Sequence, residues 1–286
     1  MSDLGRREPV PEGATVLLGG MPRAGTTLLC AMLNEQPGCV ALAEPMRPGR
    51  HGDGARALAD IAAFARGTRR DLLAGRPVVS TGGGAAVDNF VPMAPAGSAL
   101  RVVEAPLAAW SDASPNAGSL RLFIKQPGLV AALAGALSAD YPVYLVLRHP
   151  LAVLASWQTV PMAVRAGHMP VAESLRPDLA ARLARAGDAL GRQVVLLAWL
   201  LEAALAHPRG QVLLYEEFVA EPAYWLAPLA GGRWQAGAQR RPHDRLCRYA
   251  GQDLARLAHA LWPLVGLAQP FWPGFAGDLA EVIAAG

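Results

Sequence analysis

The sequence predicts an α/β fold, a parallel sheet with helices on both faces, built as one domain that carries an insertion. Three observations predict it. Short apolar runs alternate with longer segments of helical character, and each run is apolar throughout, as in strands covered on both faces. The first run stops at glycines and passes at once into a helix-compatible stretch. A later run ends at a proline, Pro150, placed just inside a helix start, where its fixed φ and missing N–H are tolerated.

Bulk composition narrows the class. The 286 residues are enough for a full hydrophobic core, and 52% hydrophobic with 17% charged residues describes a folded protein rather than a disordered one. A net charge of +3 is small for this length, so no nucleic-acid partner is implied. The apolar segments Gln126–Ala139 and Gln193–Leu201 fall short of the ~20 residues of a membrane span. Met1–Val10 is charged and has no secretory h-region. The three cysteines, Cys30, Cys39 and Cys247, have no metal-ligand spacing. Reduced thiols and a cytoplasmic location are the simplest account. Nearly all basic residues are arginine, and Lys125 is the only lysine.

Taken in order, Val16–Leu18 is the first strand and Thr26–Glu35 the first helix, ended by Pro37-Gly38. Cys39–Ala43 is the second strand and delivers Glu44-Pro45 at its C-terminal end, the edge where open α/β sheets bind ligands. A carboxylate there is either a general base or a solvated turn residue. Residues 49–119 read as a helical and irregular insertion over the active site, shaping the acceptor pocket, with one or two amphipathic helices at Ala55–Leu73 that keep Arg66, Arg69 and Arg70 outside, and a hinge or flexible turn at Gly82–Gly84. Leu120–Lys125 is β-prone and turns at Gln126-Pro127-Gly128 into a helix up to Ala139. Tyr141–Leu147 is a buried strand, and Arg148-His149-Pro150 opens a helix carrying Ser156 and Trp157. Pro177–His207 is mostly helical. Gln211–Tyr215 is the last strand, followed by Glu216-Glu217-Phe218. Residues 223–286 form a helical C-terminal part, with a helix around Arg245–Leu261 and an irregular tail rich in Trp and Pro.

The stretch between Thr15 and Asn34 carries the first chemistry. A strand, a glycine-containing loop and a helix in that order aim backbone N–H groups at one point and favour an anion there. Gly20 and Gly25 have the G-x-x-x-x-G spacing of a P-loop, but Thr26-Thr27 stand where an ATPase carries Lys then Ser/Thr. The cation lies inside the loop, at Arg23. The second element is Arg148 at a strand end with Ser156 eight residues on. A guanidinium fork and a helix hydroxyl suit a phosphate dianion.

Loop and Arg…Ser element together resemble the two signatures of the P-loop sulfotransferases, closest to the tyrosylprotein and related bacterial Pro-Arg-x-Gly-Thr-Thr type. The resemblance covers roughly Val16–Pro45 and Leu120–Pro222. It implies a P-loop-type sheet and 3′-phosphoadenosine 5′-phosphosulfate as co-substrate, without a metal. Arg23, Ala24, Gly25, Thr26 and Thr27 would hold the 5′-phosphosulfate, and Arg148 and Ser156 the 3′-phosphate. Tyr215, in Tyr215-Glu216-Glu217-Phe218, would lie near the adenine. Glu44 matches the family's base, and Lys125 the lysine that stabilises the transferring sulfuryl group, with Arg23 also catalytic. Ala24 replaces a usual serine, and Arg23 a frequent lysine. The family's basic C-terminal loop is not located in the sequence, Arg240-Arg241 reading more simply as solvated surface charge than as its counterpart, and the membrane anchor of Golgi members has no counterpart. The acceptor would be a hydroxyl on a phenol, sugar, lipid or peptide tyrosine. Two other readings compete: a small-molecule or nucleotide kinase, and a non-catalytic scaffold that keeps the loop.

Overall fold

The structure, a computed structural model, describes residues 8–46, 53–81, 107–110, 119–237, 249 and 251–286. Gly82–Gly84, Arg240-Arg241 and Cys247 lie outside these residues. Among the described residues, five strands form an all-parallel sheet: β1 (Thr15–Gly20), β2 (Cys39–Ala43), β5 (Arg121–Lys125), β6 (Val143–Leu147) and β7 (Val212–Leu214), in the order β2-β5-β1-β6-β7. Their residues are buried almost without exception, the mark of a sheet covered on both faces. That is why each run could be found in the sequence as an unbroken apolar stretch.

The register aligns the C-terminal ends. Ala43 of β2 lies opposite Lys125 of β5, Leu18 of β1 opposite that same lysine, Gly20 opposite Val146, and Leu147 opposite Leu214. Residues leaving these strands therefore emerge along one edge.

Helices flank the sheet. α1 (Thr26–Asn34) follows β1, α2 (Gly54–Leu73) follows β2, α3 (Pro127–Leu137) follows β5 and α4 (Pro150–Gln158) follows β6. Between α4 and β7 lie α5 (Pro170–Leu175), α6 (Pro177–Arg185) and α7 (Ala189–Leu205). α3, α4, α5 and α6 each begin on proline. Asp53 caps α2 and Asp188 caps α7, each accepting a hydrogen bond from a first-turn amide. One continuous apolar core runs from Val10 to Leu279. No helix among the described residues is long and apolar enough to cross a membrane.

Three expectations need correction. Tyr215 does not end the last strand; it opens α8 (Tyr215–Ala220), followed by α9 (Pro222–Leu226). The C-terminal tail is not irregular: beyond α10 (Leu254–Leu261), which lies within the expected helix, α11 (Val265–Ala268) and α12 (Phe275–Ala285) fill it. Its prolines fall in the connections, and Phe275 and Leu279 of α12 are fully buried. The insertion is not simply helical and irregular above the site. It contains two antiparallel strands, β3 (Val78–Thr81) and β4 (Leu107–Trp110).

Within the insertion, α2 leads away from the C-terminal edge of the sheet. At 1.5 Å per residue its 20 residues span ~30 Å, enough to cross the whole sheet. Near its far end, Arg69 donates to the carbonyls of Ala14 and Leu120 and to Thr15 Oγ1, at the N-terminal ends of β1 and β5. The chain then returns through β3, whose last residues, Ser80 and Thr81, lie beside the end of β2.

Candidate functional site

The Gly20–Gly25 loop is held by contacts only glycine permits. Gly20 has φ 120° and Gly25 φ 81°; a Cβ on the first would collide with the Val146 carbonyl and on the second with the Tyr215 ring. Met21 N–H donates to Val146 O at 3.0 Å, and the Trp157 indole donates to Pro22 O at 3.0 Å. The loop is thus tied to β6 and to α4. Arg23 adopts φ 73°, in the left-handed region that side chains rarely enter. Ala24 is fully buried and brings only its backbone. Gly25 caps α1 without a side-chain hydrogen bond, so Thr26 and Thr27 begin a helix whose first amides suit an anion.

Replacing Gly25 tests this geometry. Gly25→Ala would force an L side chain into the left-handed region, at about 1–2 kcal/mol, and push against Tyr215. The melting temperature should fall by about 2–8 °C. An unchanged value in a thermal scan would mean that the loop does not take this turn in solution.

Lys125, at the end of β5, is buried at 3% exposure. Its Nζ donates to Glu44 Oε1 at 2.5 Å and to Thr27 Oγ1 at 3.3 Å. The lone lysine therefore joins the end of β2 to the start of α1. Glu44 leaves 47% of its side chain open to solvent and sits at φ 45°. Arg23 and Glu44 are the two non-glycine residues with positive φ among those described, and both were singled out from sequence. Such strain collects where surrounding structure over-determines a conformation.

The Lys125 ammonium, chiefly by its charge, holds the Glu44 carboxyl below its usual range; burial opposes this, and the Lys125 hydrogen bond and Arg23 add to the lowering. Cys30 is close enough to feel both members of the pair, but burial pushes its thiol up to about 12. At neutral pH it is no nucleophile. Burial likewise holds Cys39 at about 11.

On the other side of β1, Arg23 Nε donates to Ser156 Oγ at 3.4 Å, and Arg148 Nη1 donates to the Arg23 carbonyl at 3.4 Å. Ser156 is 1% exposed. The Arg148 guanidinium lies 4.7 Å from the centroid of the Tyr215 ring, a cation–π contact. Tyr215 itself is buried between Arg148 and Gly25, so its visible work is to support the arginine and the loop.

His149, which follows Arg148 at the end of β6, packs away from this cluster. Its ring centroid is 5.0 Å from that of Phe275 and 5.8 Å from that of Trp272. Nε2 lies 3.3 Å from Asp278 Oδ2. Burial lowers the imidazole's pKa despite that carboxylate. Its backbone N–H donates to Glu216 Oε1 at 2.7 Å, and Trp272 Nε1 donates to Glu216 Oε2 at 3.4 Å. His149 anchors the C-terminal helices to the Arg148 turn.

All the candidate residues thus lie just beyond five strand ends: Arg23–Thr27 after β1, Glu44 after β2, Lys125 closing β5, Arg148 and Ser156 after β6, and Tyr215 after β7. Comparison with protein-family models and with curated proteins finds no match for this chain. The resemblance noted above therefore rests on those residues and their spacing. Sequence reasoning missed three polar side chains at the edge, Ser80, Thr81 and Gln126. Gln126 could have been suspected from its place beside Lys125; Ser80 and Thr81 carried no motif.

Proposed function

We propose that this chain is a P-loop sulfotransferase that moves a sulfuryl group from 3′-phosphoadenosine 5′-phosphosulfate to a hydroxyl acceptor. The observation that carries the reading is the buried Lys125 bridging Glu44 and Thr27 beside a loop built for an anion. An ammonium, an ionised carboxylate and converging amides within one edge are the parts that in-line transfer of a charged group requires.

Arg148, supported by Tyr215, and Ser156 would hold the 3′-phosphate, while the Arg23–Thr27 loop takes the 5′-phosphosulfate. Glu44 accepts the acceptor's proton as the hydroxyl oxygen bonds to sulfur. The bond from sulfur to the bridging phosphate oxygen breaks, and its electron pair remains on the departing 3′,5′-bisphosphate. Lys125 and Arg23 stabilise the charge on the sulfuryl oxygens and the leaving phosphate. Lys125 keeps Glu44 below the ordinary carboxylate range, so the base stays ionised at neutral pH and into mildly acidic solution.

The test is a binding experiment followed by a transfer assay. 3′-Phosphoadenosine 5′-phosphate should stabilise the fold without Mg²⁺, by about 2.7 kcal/mol at ~100 times its dissociation constant. Labelled donor with a fractionated cell extract should then yield sulfated products. Equal protection by ATP–Mg²⁺ would favour a kinase, and protection without transfer a non-catalytic scaffold.

A further inference from the structure

We infer that Ser80, Thr81 and Gln126 are positioning residues that lock the Glu44 turn so that its carboxylate meets Lys125. The inference rests on the reading of Glu44 as the base and adds the device that aims it.

Glu44 is doubly constrained. Its φ of 45° is left-handed, and Pro45 follows it, a neighbour that biases the preceding residue toward extended backbone. A free Glu-Pro step would relax to an extended conformation and swing the side chain off its present line. Four hydrogen bonds oppose that. Glu44 N–H donates to Lys125 O at 2.8 Å, carrying the β2–β5 ladder one residue further. Ala43 N–H donates to Ser80 Oγ at 3.1 Å, and Thr81 Oγ1 donates to Glu44 O at 3.4 Å. Beyond the proline, Gln126 Nε2 donates to Met46 O at 2.8 Å.

The turn is thus fastened from two sides, by the end of β3 and by the junction of β5 with α3. Ser80, Thr81 and Gln126 are all buried. Burying polar groups there is costly unless they are paired, and the backbone around Glu44 supplies the partners. The β3–β4 pair therefore does more than extend the fold: its last two residues on β3 bind the main chain of the Glu44 turn.

The test compares Ser80→Ala/Thr81→Val with the hydroxyl-retaining Ser80→Thr/Thr81→Ser, and each with wild type. The first readout is independent of transfer: titration of the Glu44 carboxyl by carbon-13 NMR on glutamate-labelled protein, assigned with Glu44→Gln. The charged groups facing Glu44 are Lys125 from β5 and Arg23 from the loop, with the Cys30 thiol behind them on α1. Loss of the clamp should move the Glu44 titration upward as the carboxylate leaves Lys125, and the hydroxyl-retaining pair should restore it. The second readout is kinetic. Turnover should fall by about 10- to 100-fold, the scale of a small misplacement of a reacting group, with donor KM unchanged.

Should the double variant fail to fold, Thr81→Val alone removes one bond from a folded chain and is read in the same way. A folded variant whose Glu44 titrates as in wild type overturns the inference, even if transfer is demonstrated. A shifted titration in a protein without transferase activity upholds the positioning and removes only the proposed reaction.

Discussion

Lys125→Arg should behave almost as badly as Lys125→Met, each losing turnover by about 10²-fold or more, the scale of one preorganised charge-stabilising donor. The reason is space. Nζ is a compact charge within reach of both Glu44 Oε1 and Thr27 Oγ1, in a position with 3% exposure. A guanidinium is wider, planar and fixed in its fork, so it cannot occupy that point without displacing the start of α1 or the Glu44 turn. Nucleotide binding should survive in Lys125→Met, because the loop amides, Arg148 and Ser156 can hold the phosphates without the Lys125 ammonium. The fold should survive as well: with 47% of its side chain exposed, Glu44 can turn to water when its partner is gone.

Lys125→Met carries a signature in pH. The ammonium is the largest influence lowering the Glu44 pKa, and burial works against it. Without the lysine that lowering is lost and the carboxyl titrates at higher pH. A base works only when deprotonated, so activity is lost as pH falls through its pKa. The acid limb of kcat/KM should therefore lie below the usual carboxylate range in wild type and move up in the variant. Full turnover in Lys125→Arg, with an unmoved acid limb in Lys125→Met, would show that this position serves only the fold.

Glu44→Gln should lower turnover by roughly 10²–10⁴-fold while donor affinity stays near wild type. The amide keeps the size of the side chain and can still accept the Lys125 hydrogen bond, but it cannot take a proton. Backbone geometry is unaffected, since the turn is held through main-chain groups and by Ser80, Thr81 and Gln126. Rates and donor binding measured on the same preparation separate loss of chemistry from loss of affinity. Normal turnover would make Glu44 a turn residue. His149 would not inherit the role, because its ring is packed among Trp272, Phe275 and Asp278.

The sheet was legible because its strands are covered on both faces. Cys39–Ala43 is found as read, and Arg121–Lys125 and Val143–Leu147 fall within the expected runs. The glycine loop was legible because Gly20 and Gly25 are required by local geometry: one lies against β6, the other has φ 81° at a helix start. Tyr215 was misassigned because an apolar run continues into α8 without a glycine or proline to mark the change. The C-terminal tail was misread for a related reason, since its prolines and tryptophans lie in short connections between helices.

What the sequence determined by itself is what short-range chemistry enforces: the alternation of strand and helix, the glycine loop, the single lysine and the carboxylate at the end of a strand. Only the tertiary structure decided which of these meet. The order β2-β5-β1-β6-β7 sets β5 between β2 and β1, and the register places Lys125 opposite both Ala43 and Leu18. That is why a lysine 81 positions from Glu44 in sequence becomes its hydrogen-bond partner. The clamp around Glu44 was illegible for the same reason. Ser80 and Thr81 acquire their partners only when the chain has passed through α2 and β3 has come to lie beside the end of β2, a long-range contact with no local residue pattern to announce it.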